Sequence, residues 1–226
     1  MHDRDAARCP LFDGNIAMRY FRNHDSPTSS PAASAGCQTE RVREMKYSIY
    51  IYEGDLSSPE LRENLMTDAV IAYCGTHDIG YAGITVERAE KGKPYIYGTA
   101  EPVYCNVSHS GNLWIAIVGP GECGIDLQRV TDCKFEQISR RYFSPDEQEY
   151  IRTYGMSGFF RLWVRREAFG KFTGEGFYGQ KPAFVDADGR LIDWVEEGFL
   201  KDLPIADDII CTYCTGREED DIEFFG

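Results

Sequence analysis

Long hydrophobic runs are missing from this sequence. No apolar stretch approaches the roughly 20 residues that a membrane-spanning helix needs, so no membrane partner is expected. No charged start followed by an apolar centre marks a secretory signal, and the expected compartment is the cytoplasm. Positive charge is also scarce: 24 Lys and Arg face 37 Asp and Glu, a formal net charge of −13. That balance argues against nucleic acid held by a general electrostatic footprint. A polyanionic ligand would need a local cluster of cations instead. A disulfide framework is absent as well, because the eight cysteines are scattered through apolar surroundings, as reduced core thiols are. Cys211-Thr-Tyr-Cys214 is a CxxC without a second ligand pair, and its apolar run IICTYC reads as strand rather than as a zinc site.

What is present is ample for a core: 226 residues make one large domain or two small ones. Residues 1–44 stand apart. Ser26–Gly36 (SPTSSPAASAG) is small, polar and Pro-rich without either period, which reads as disordered linker. The six Arg and six Asp/Glu of residues 1–44 cancel, so the whole net charge belongs to residues 45–226. The folded protein is expected to start at Met45, with an alternating Tyr/Ile strand over Lys46–Glu53. Ser57-Ser58-Pro59-Glu60 announces a helix to about Cys74. A second strand is expected near Ile84–Arg88, followed by the basic loop Lys91-Gly92-Lys93-Pro94, which in isolation is an ordinary solvated turn.

Asn106, Ser108 and Ser110 alternate with Val107 and His109, as in a strand with one polar face, and the apolar strand IAIVG follows. The Ser-His-Ser-Gly turn offers hydroxyls, an imidazole and free amides, groups that hold phosphate oxygens. A Ser-His acyl-transfer pair is disfavoured, because neighbours on a strand point to opposite faces and Ser108 cannot readily use His109 as its base. In Gly124-Ile-Asp-Leu-Gln128, Asp126 and Gln128 share one strand face. A carboxylate facing inward is costly unless paired or metal-bound; the bland alternative is an exposed strand face. Phe143-Ser-Pro-Asp-Glu147 is a capping box opening a helix to about Tyr154.

From Phe159 to Phe177 runs FFRLWVRREAFGKFTGEGF. Trp163, Glu167 and Lys171 are spaced i, i+4, i+8, which sets an acid and a base one turn apart at the end of an aromatic wall. Gly174-Glu175-Gly176 stops the helix and lets backbone come close to something bulky. Taken alone, Glu167–Lys171 is a solvated bridge. Downstream, Phe184–Leu191 reads as a hairpin with an Asp-Gly turn, IICTYC as a strand closing the sheet, and Glu218–Glu223 as a solvated acidic end.

GKP at 92–94, NVSHSG at 106–111, GID at 124–126 and WVRREAFGKFTGEG at 163–176 occur in an order and spacing that resemble the 4′-phosphopantetheinyl transferases of the larger, two-lobed (Sfp-type) class. The last motif matches W-x-x-K-E-A-x-x-K-x-x-G-x-G except for Arg166 at the first lysine, and the resemblance covers about residues 45–215. It implies an α+β protein of two similar lobes related by a pseudo-twofold, each a helix packed on a small antiparallel sheet. The lobes would span 45–124 and 125–226, with coenzyme A in the cleft between them. The implied reaction moves the 4′-phosphopantetheine arm of coenzyme A to a serine of an acyl, peptidyl or polyketide carrier protein, releasing adenosine 3′,5′-bisphosphate.

The resemblance also implies roles. Mg²⁺ (Mn²⁺ being the alternative) would be held by Asp126 and Glu167, with Gln128 nearby, because Mg²⁺ takes one or two carboxylates plus substrate phosphates and keeps several waters. It would stabilise charge on the leaving group. Glu167, or a water on the metal, would take the serine proton. Lys171 would contact the pyrophosphate and protonate the leaving phosphate. Ser108 and His109 would contact coenzyme A phosphates, Lys91, Lys93 and Pro94 its nucleotide end, and Arg166 the cofactor in place of lysine.

Three departures bear on activity. Gln128 stands where many members carry a second acid, so altered metal affinity is expected. Arg166 replaces a compact ammonium by a planar fork. The basic helical segment that helps grip the 3′-phosphate in the family has no counterpart in the chain from Met45, so weaker coenzyme A binding, or relaxed discrimination at that end, is expected. A monomeric enzyme is the reading, and Arg140, Arg141 and Arg161 are the candidate patch for an acidic carrier. The alternatives are a degenerate, non-catalytic coenzyme A or carrier-binding relative and, more remotely, a metal-dependent phosphohydrolase on the same residues.

Overall fold

The computed structural model describes residues 46–177, 182–218 and 222–226; the expected linker and the expected start at Met45 lie outside them. Strand β1 (Ser48–Glu53) alternates as expected, with Ile49 and Ile51 on one face and Tyr50 on the other. Helix α1 (Pro59–Thr76) begins where the sequence places it: the Ser58 hydroxyl accepts from the Leu61 N–H, and Pro59 occupies the first turn, where its missing donor costs nothing. The hairpin β2 (Tyr81–Arg88) and β3 (Pro94–Thr99) follows, then β4 (Tyr104–Ser110), β5 (Leu113–Gly119) and β6 (Cys123–Arg129). The basic loop is therefore the turn of a hairpin, with a third strand beyond it that the sequence reading left unassigned.

Short α2 (Phe135–Tyr142) precedes α3 (Pro145–Thr173), and β7 (Trp194–Val195), β8 (Gly198–Ala206), β9 (Ile209–Thr215) and β10 (Glu223–Phe225) complete the order. At the start of α3 both halves of the capping box form: the Ser144 hydroxyl accepts from the Glu147 N–H, and the Glu147 carboxylate accepts from the Ser144 N–H. The first helical segment ends at Tyr154, as expected. Gly155 leaves the helical region (φ 61, ψ −142) and a second helical segment resumes beyond it, because only glycine takes that backbone without a Cβ penalty.

The strands form sheets of order β10-β1-β5-β4 and β6-β9-β8-β7, with β2–β3 as a separate ribbon. Each large sheet has a helix against one face: α1 packs Met66, Ala69, Val70 and Tyr73 with Tyr50, Trp114 and Val118, and α3 packs Leu162, Ala168 and Phe169 with Phe184, Leu200 and Cys214. The opposite faces meet in one cluster of Ile49, Ile51, Ile115 and Ile117 with Ile125, Leu127, Cys211 and Tyr213. The α+β class follows directly.

Two expectations change. The strand IICTYC lies between β6 and β8 rather than at an edge, and its Cys211 and Cys214 are buried free thiols. Of the expected acidic end, residues 219–221 lie outside the described residues, while Glu223 opens β10, which pairs parallel with β1 (Ser48 opposite Glu223) and sets the Phe225 ring on Tyr50 at 5.1 Å. The expected boundary after residue 124 thus falls inside β6, and the last described strand belongs to the first sheet.

The polar face of β4 joins the two sheets. The Asn106 side-chain carbonyl accepts from the Ile125 N–H (3.2 Å), Ser108 Oγ from the Leu127 N–H (3.4 Å) and Ser110 Oγ from the Arg129 N–H (3.1 Å). One edge of β6 pairs with β9; the other finds side chains at every second residue, which satisfies donors that burial would otherwise orphan.

Candidate active site

Asp126 projects from β6 and is 3% exposed, which removes the bland reading of an exposed strand face. Its Oδ1 accepts from Ser108 Oγ (2.7 Å) and from Lys171 Nζ (2.8 Å). Lys171 Nζ also donates to the carbonyls of Ile125 (2.9 Å) and Val107 (3.3 Å), so one ammonium ties α3 to both β4 and β6. Asp126 Oδ2 is buried and has no hydrogen-bond partner among the described residues. A buried carboxylate oxygen without a partner is expensive, and a cation ligand is the chemistry that removes the cost.

Gly124 lets the helix come this close. A Cβ there would sit 2.1 Å from the Ala168 carbonyl oxygen and 2.5 Å from the Phe172 nitrogen, both backbone. With glycine, α3 lies directly on β6, carrying half-buried Glu167 one turn before Lys171 on the same stripe. Trp163 heads the stripe and packs against Phe177 with ring centroids 4.3 Å apart and the planes tilted by 33°.

The far end of α3 is closed by Gly174 in the left-handed region (φ 75), a common helix stop, and by the Gly176 N–H reaching back to the Gly170 carbonyl at 3.1 Å. This turn packs against the basic hairpin: Lys91 Nζ donates to the Glu175 carbonyl (3.3 Å) and Lys93 Nζ to the Phe172 carbonyl. Between them lies a cleft of about 120 Å³ lined by Arg88, Lys91, Lys93, Pro94, Asn106 and Lys171 among others. Among the described residues four cations and no acid line it, which is the local cluster that an acidic chain needs to hold a polyanion. Lys93 is in addition ion-paired to Glu122.

The other expected residues are placed differently. His109 is exposed on β4, and Ser108, on the opposite face, is committed to Asp126 and the Leu127 N–H; neither lines the cleft. Gln128 is half-buried on the Asp126 side of β6. Arg166 is not brought to the cleft at all. It is 8% exposed and pairs with Glu147, itself 1% exposed, at 3.3 Å, with the Phe143 ring 4.8 Å from the guanidinium. Burial pulls its ionisation downward and Glu147 opposes the shift. Arg140 and Arg141 are exposed on α2, whereas Arg161 pairs with Asp202 at 3.4 Å. Sequence reading missed Arg88 and Asn106 in the cleft. The only signal for Arg88 was its position four residues before the turn glycine, where it donates to the Gly92 carbonyl.

Among the described residues no group of three or more His, Cys, Asp or Glu is placed to hold a metal. A carboxylate pair suffices for Mg²⁺, which binds through one or two carboxylates and keeps its remaining waters for substrate oxygens. Asp126 fits on the evidence of its unpartnered Oδ2. The neighbouring Cys211 thiol is pushed well up by burial and by Asp126, so it stays a neutral core group rather than a nucleophile.

Residues 122–214 match the sequence profile of the 4′-phosphopantetheinyl transferase superfamily. This part of the chain is similar to that superfamily. The matched segment carries Asp126, Gln128, Arg166, Glu167 and Lys171 and leaves out the basic hairpin and β4. A 4′-phosphopantetheinyl transferase of Bacillus subtilis is 32% identical over 99 residues, covering 42% of this chain and 43% of the relative. One from Bacillus pumilus is 33% identical over 101 residues, 42% of each chain. One from a Nostoc strain is 31% identical over 110 residues, 43% of this chain and 46% of the relative. The chain thus spans less than half the length of these 4′-phosphopantetheinyl transferases.

Proposed function

We propose that the protein is a 4′-phosphopantetheinyl transferase that moves the phosphopantetheine arm of coenzyme A to a serine hydroxyl of an acyl, peptidyl or polyketide carrier protein. The observation that carries the reading is Lys171, which reaches a buried Asp126 with an open carboxylate oxygen while lining a cleft of four cations. The two-lobed arrangement, with coenzyme A between the lobes, belongs to the same proposal. So do a monomeric state and the reducing cytoplasm, with which buried free thiols at Cys74, Cys105, Cys123, Cys211 and Cys214 agree.

In this reading Arg88, Lys91, Lys93 and Lys171 seat the phosphates. Mg²⁺, with Mn²⁺ as the substitute, would be held by Asp126 and Glu167 with Gln128 nearby; when bound it neutralises charge on the pyrophosphate oxygens. The serine oxygen attacks the phosphorus that bears the pantetheine arm, and the bond from that phosphorus to the bridging oxygen breaks. Glu167 accepts the serine proton. Lys171 stabilises the bridging oxygen as it leaves on adenosine 3′,5′-bisphosphate and can supply its proton. Glu167 sits one turn from Lys171, so acceptor and donor approach the substrate from one helix face. His109 would reach a phosphate where the bound ligand extends past the cleft along β4, whereas the Ser108 hydroxyl is committed to Asp126 and the Leu127 N–H.

Gln128 favours one rival reading, a non-catalytic binder, because its amide adds no charge to the site. Intact-mass spectrometry of an apo carrier protein incubated with this protein, coenzyme A and Mg²⁺ separates the two. A mass gain of one arm, lost in Asp126→Ala and Glu167→Ala, is expected. No gain with fatty-acid, polyketide and peptide carriers, alongside measurable coenzyme A binding, would establish the binder.

A further inference from the structure

The Ser108 hydroxyl does two things at once. It accepts from the Leu127 N–H at 3.4 Å as part of the β4–β6 junction, and it donates to Asp126 Oδ1 at 2.7 Å. Asn106 and Ser110 serve the junction alone, through the Ile125 and Arg129 N–H groups. Lys171 takes the same Oδ1 at 2.8 Å. With two donors on one oxygen, the carboxylate cannot rotate without breaking both bonds, and the oxygen left over is the buried Oδ2 that has no hydrogen-bond partner among the described residues.

We propose that Ser108 is a positioning residue for a divalent cation: it fixes Asp126 by Oδ1 and reserves Oδ2 as the single ligand oxygen of that side chain. The assignment rests on the metal reading of Asp126 above. It differs from a direct phosphate contact, because the hydroxyl proton is already spent on the carboxylate. It also means that the first sheet completes the cation site of the second. Partners of this kind, which orient a ligand without touching the ion, commonly account for 10- to 100-fold of metal affinity.

The test is binding of Mn²⁺ alone to the full chain, read by electron paramagnetic resonance of the free ion, with transfer kinetics in parallel. Ser108→Ala is expected to weaken Mn²⁺ about tenfold or more and to raise the metal concentration needed for half-maximal transfer, with KM for coenzyme A changed less than twofold. Ser108→Thr, which keeps the hydroxyl, restores the affinity. Ser110→Ala removes a neighbouring bond of the same junction and leaves Mn²⁺ binding within twofold of wild type. Ser108→Cys, similar in size with a much weaker donor, carries the test if the alanine variant does not fold.

Unchanged Mn²⁺ affinity in Ser108→Ala, or a shift confined to KM for coenzyme A, overturns the proposal. Equal weakening in Ser110→Ala also overturns it, since the effect would then belong to the junction. Asp126→Asn separates the two levels. If it binds Mn²⁺ as wild type does, the metal reading fails; if it loses binding while Ser108→Ala keeps it, only the positioning role fails.

Discussion

Arg166 occupies the place of a lysine in the family pattern, and its surroundings account for the guanidinium. Its planar fork lies over Phe143 and within 5.9 Å of the Phe184 ring, an arrangement that suits a weakly hydrated, delocalised cation better than an ammonium. Glu147 divides its oxygens among the Arg166 guanidinium, the Ser144 N–H and the Phe184 N–H. Removing one partner of such a pair leaves a buried charge, which costs about 3–5 kcal/mol, whereas replacing both by apolar groups is often close to neutral. Glu147→Ala is therefore expected to lower unfolding stability by several kcal/mol in urea titrations. Glu147→Leu combined with Arg166→Met should recover much of that loss, less the capping contribution. A double variant as unstable as the sum of the single ones would show that the charges do not act as a pair.

Among the elements, α3 does the most, and it can do so because β6 offers it a glycine. The Gly124→Ala Cβ would meet backbone of Ala168 and Phe172, which cannot swing aside as a flexible side chain can. The helix must shift, and Lys171 then loses its reach to Asp126. Gly124→Ala is expected to cost about 1–3 kcal/mol of stability by overpacking and to cut transfer more than tenfold, checked by thermal unfolding and by the carrier mass shift. A variant with normal activity would mean that the helix position is not critical. At Gly155 nothing lies within 4 Å of an added Cβ, so Gly155→Ala meets only backbone strain. It should cost about 1–3 kcal/mol with little change in transfer. The start of α3 was legible because a capping box is a local pattern. So was the end of its first segment near Tyr154, because Gly155 leaves helical geometry; that a second helical segment follows at once is decided by packing on both sides.

For the whole molecule, the buried thiols set an alkaline limit. Burial raises Cys105 from 9.0 to about 12 and Cys74 from 9.0 to about 11, and lifts Cys123 and Cys211 as well. The folded chain thus holds protons that the unfolded chain releases. Stability from these groups is fully present below pH 9 and is lost as pH rises through the folded values. Melting temperature should be nearly level on the approach to pH 9 and fall between about pH 9 and 12, with a shallower fall in Cys105→Ala measured against its own value at pH 8. A thiol reagent at pH 8 should modify half-buried Cys133 ahead of the five buried cysteines, as read by mass spectrometry.

Helix starts at Ser58 and Ser144, the alternating β1, the apolar β5 and the stop at Gly174 were fixed by the sequence itself, since caps, periodicity and left-handed glycines act within a few residues. The motif order likewise pointed to Asp126, Glu167 and Lys171. Only the tertiary structure decided what those residues touch. Lys171 and Asp126 are 45 positions apart, and Lys171 and Val107 are 64. Whether Ser108 serves a ligand or the Leu127 N–H depends on which strand lies beside β4. Whether Arg166 faces the cleft or Glu147 depends on how α3 rotates on β6. Such partners are chosen when buried donors and charges compete for satisfaction across sheets, and no local pattern records the outcome.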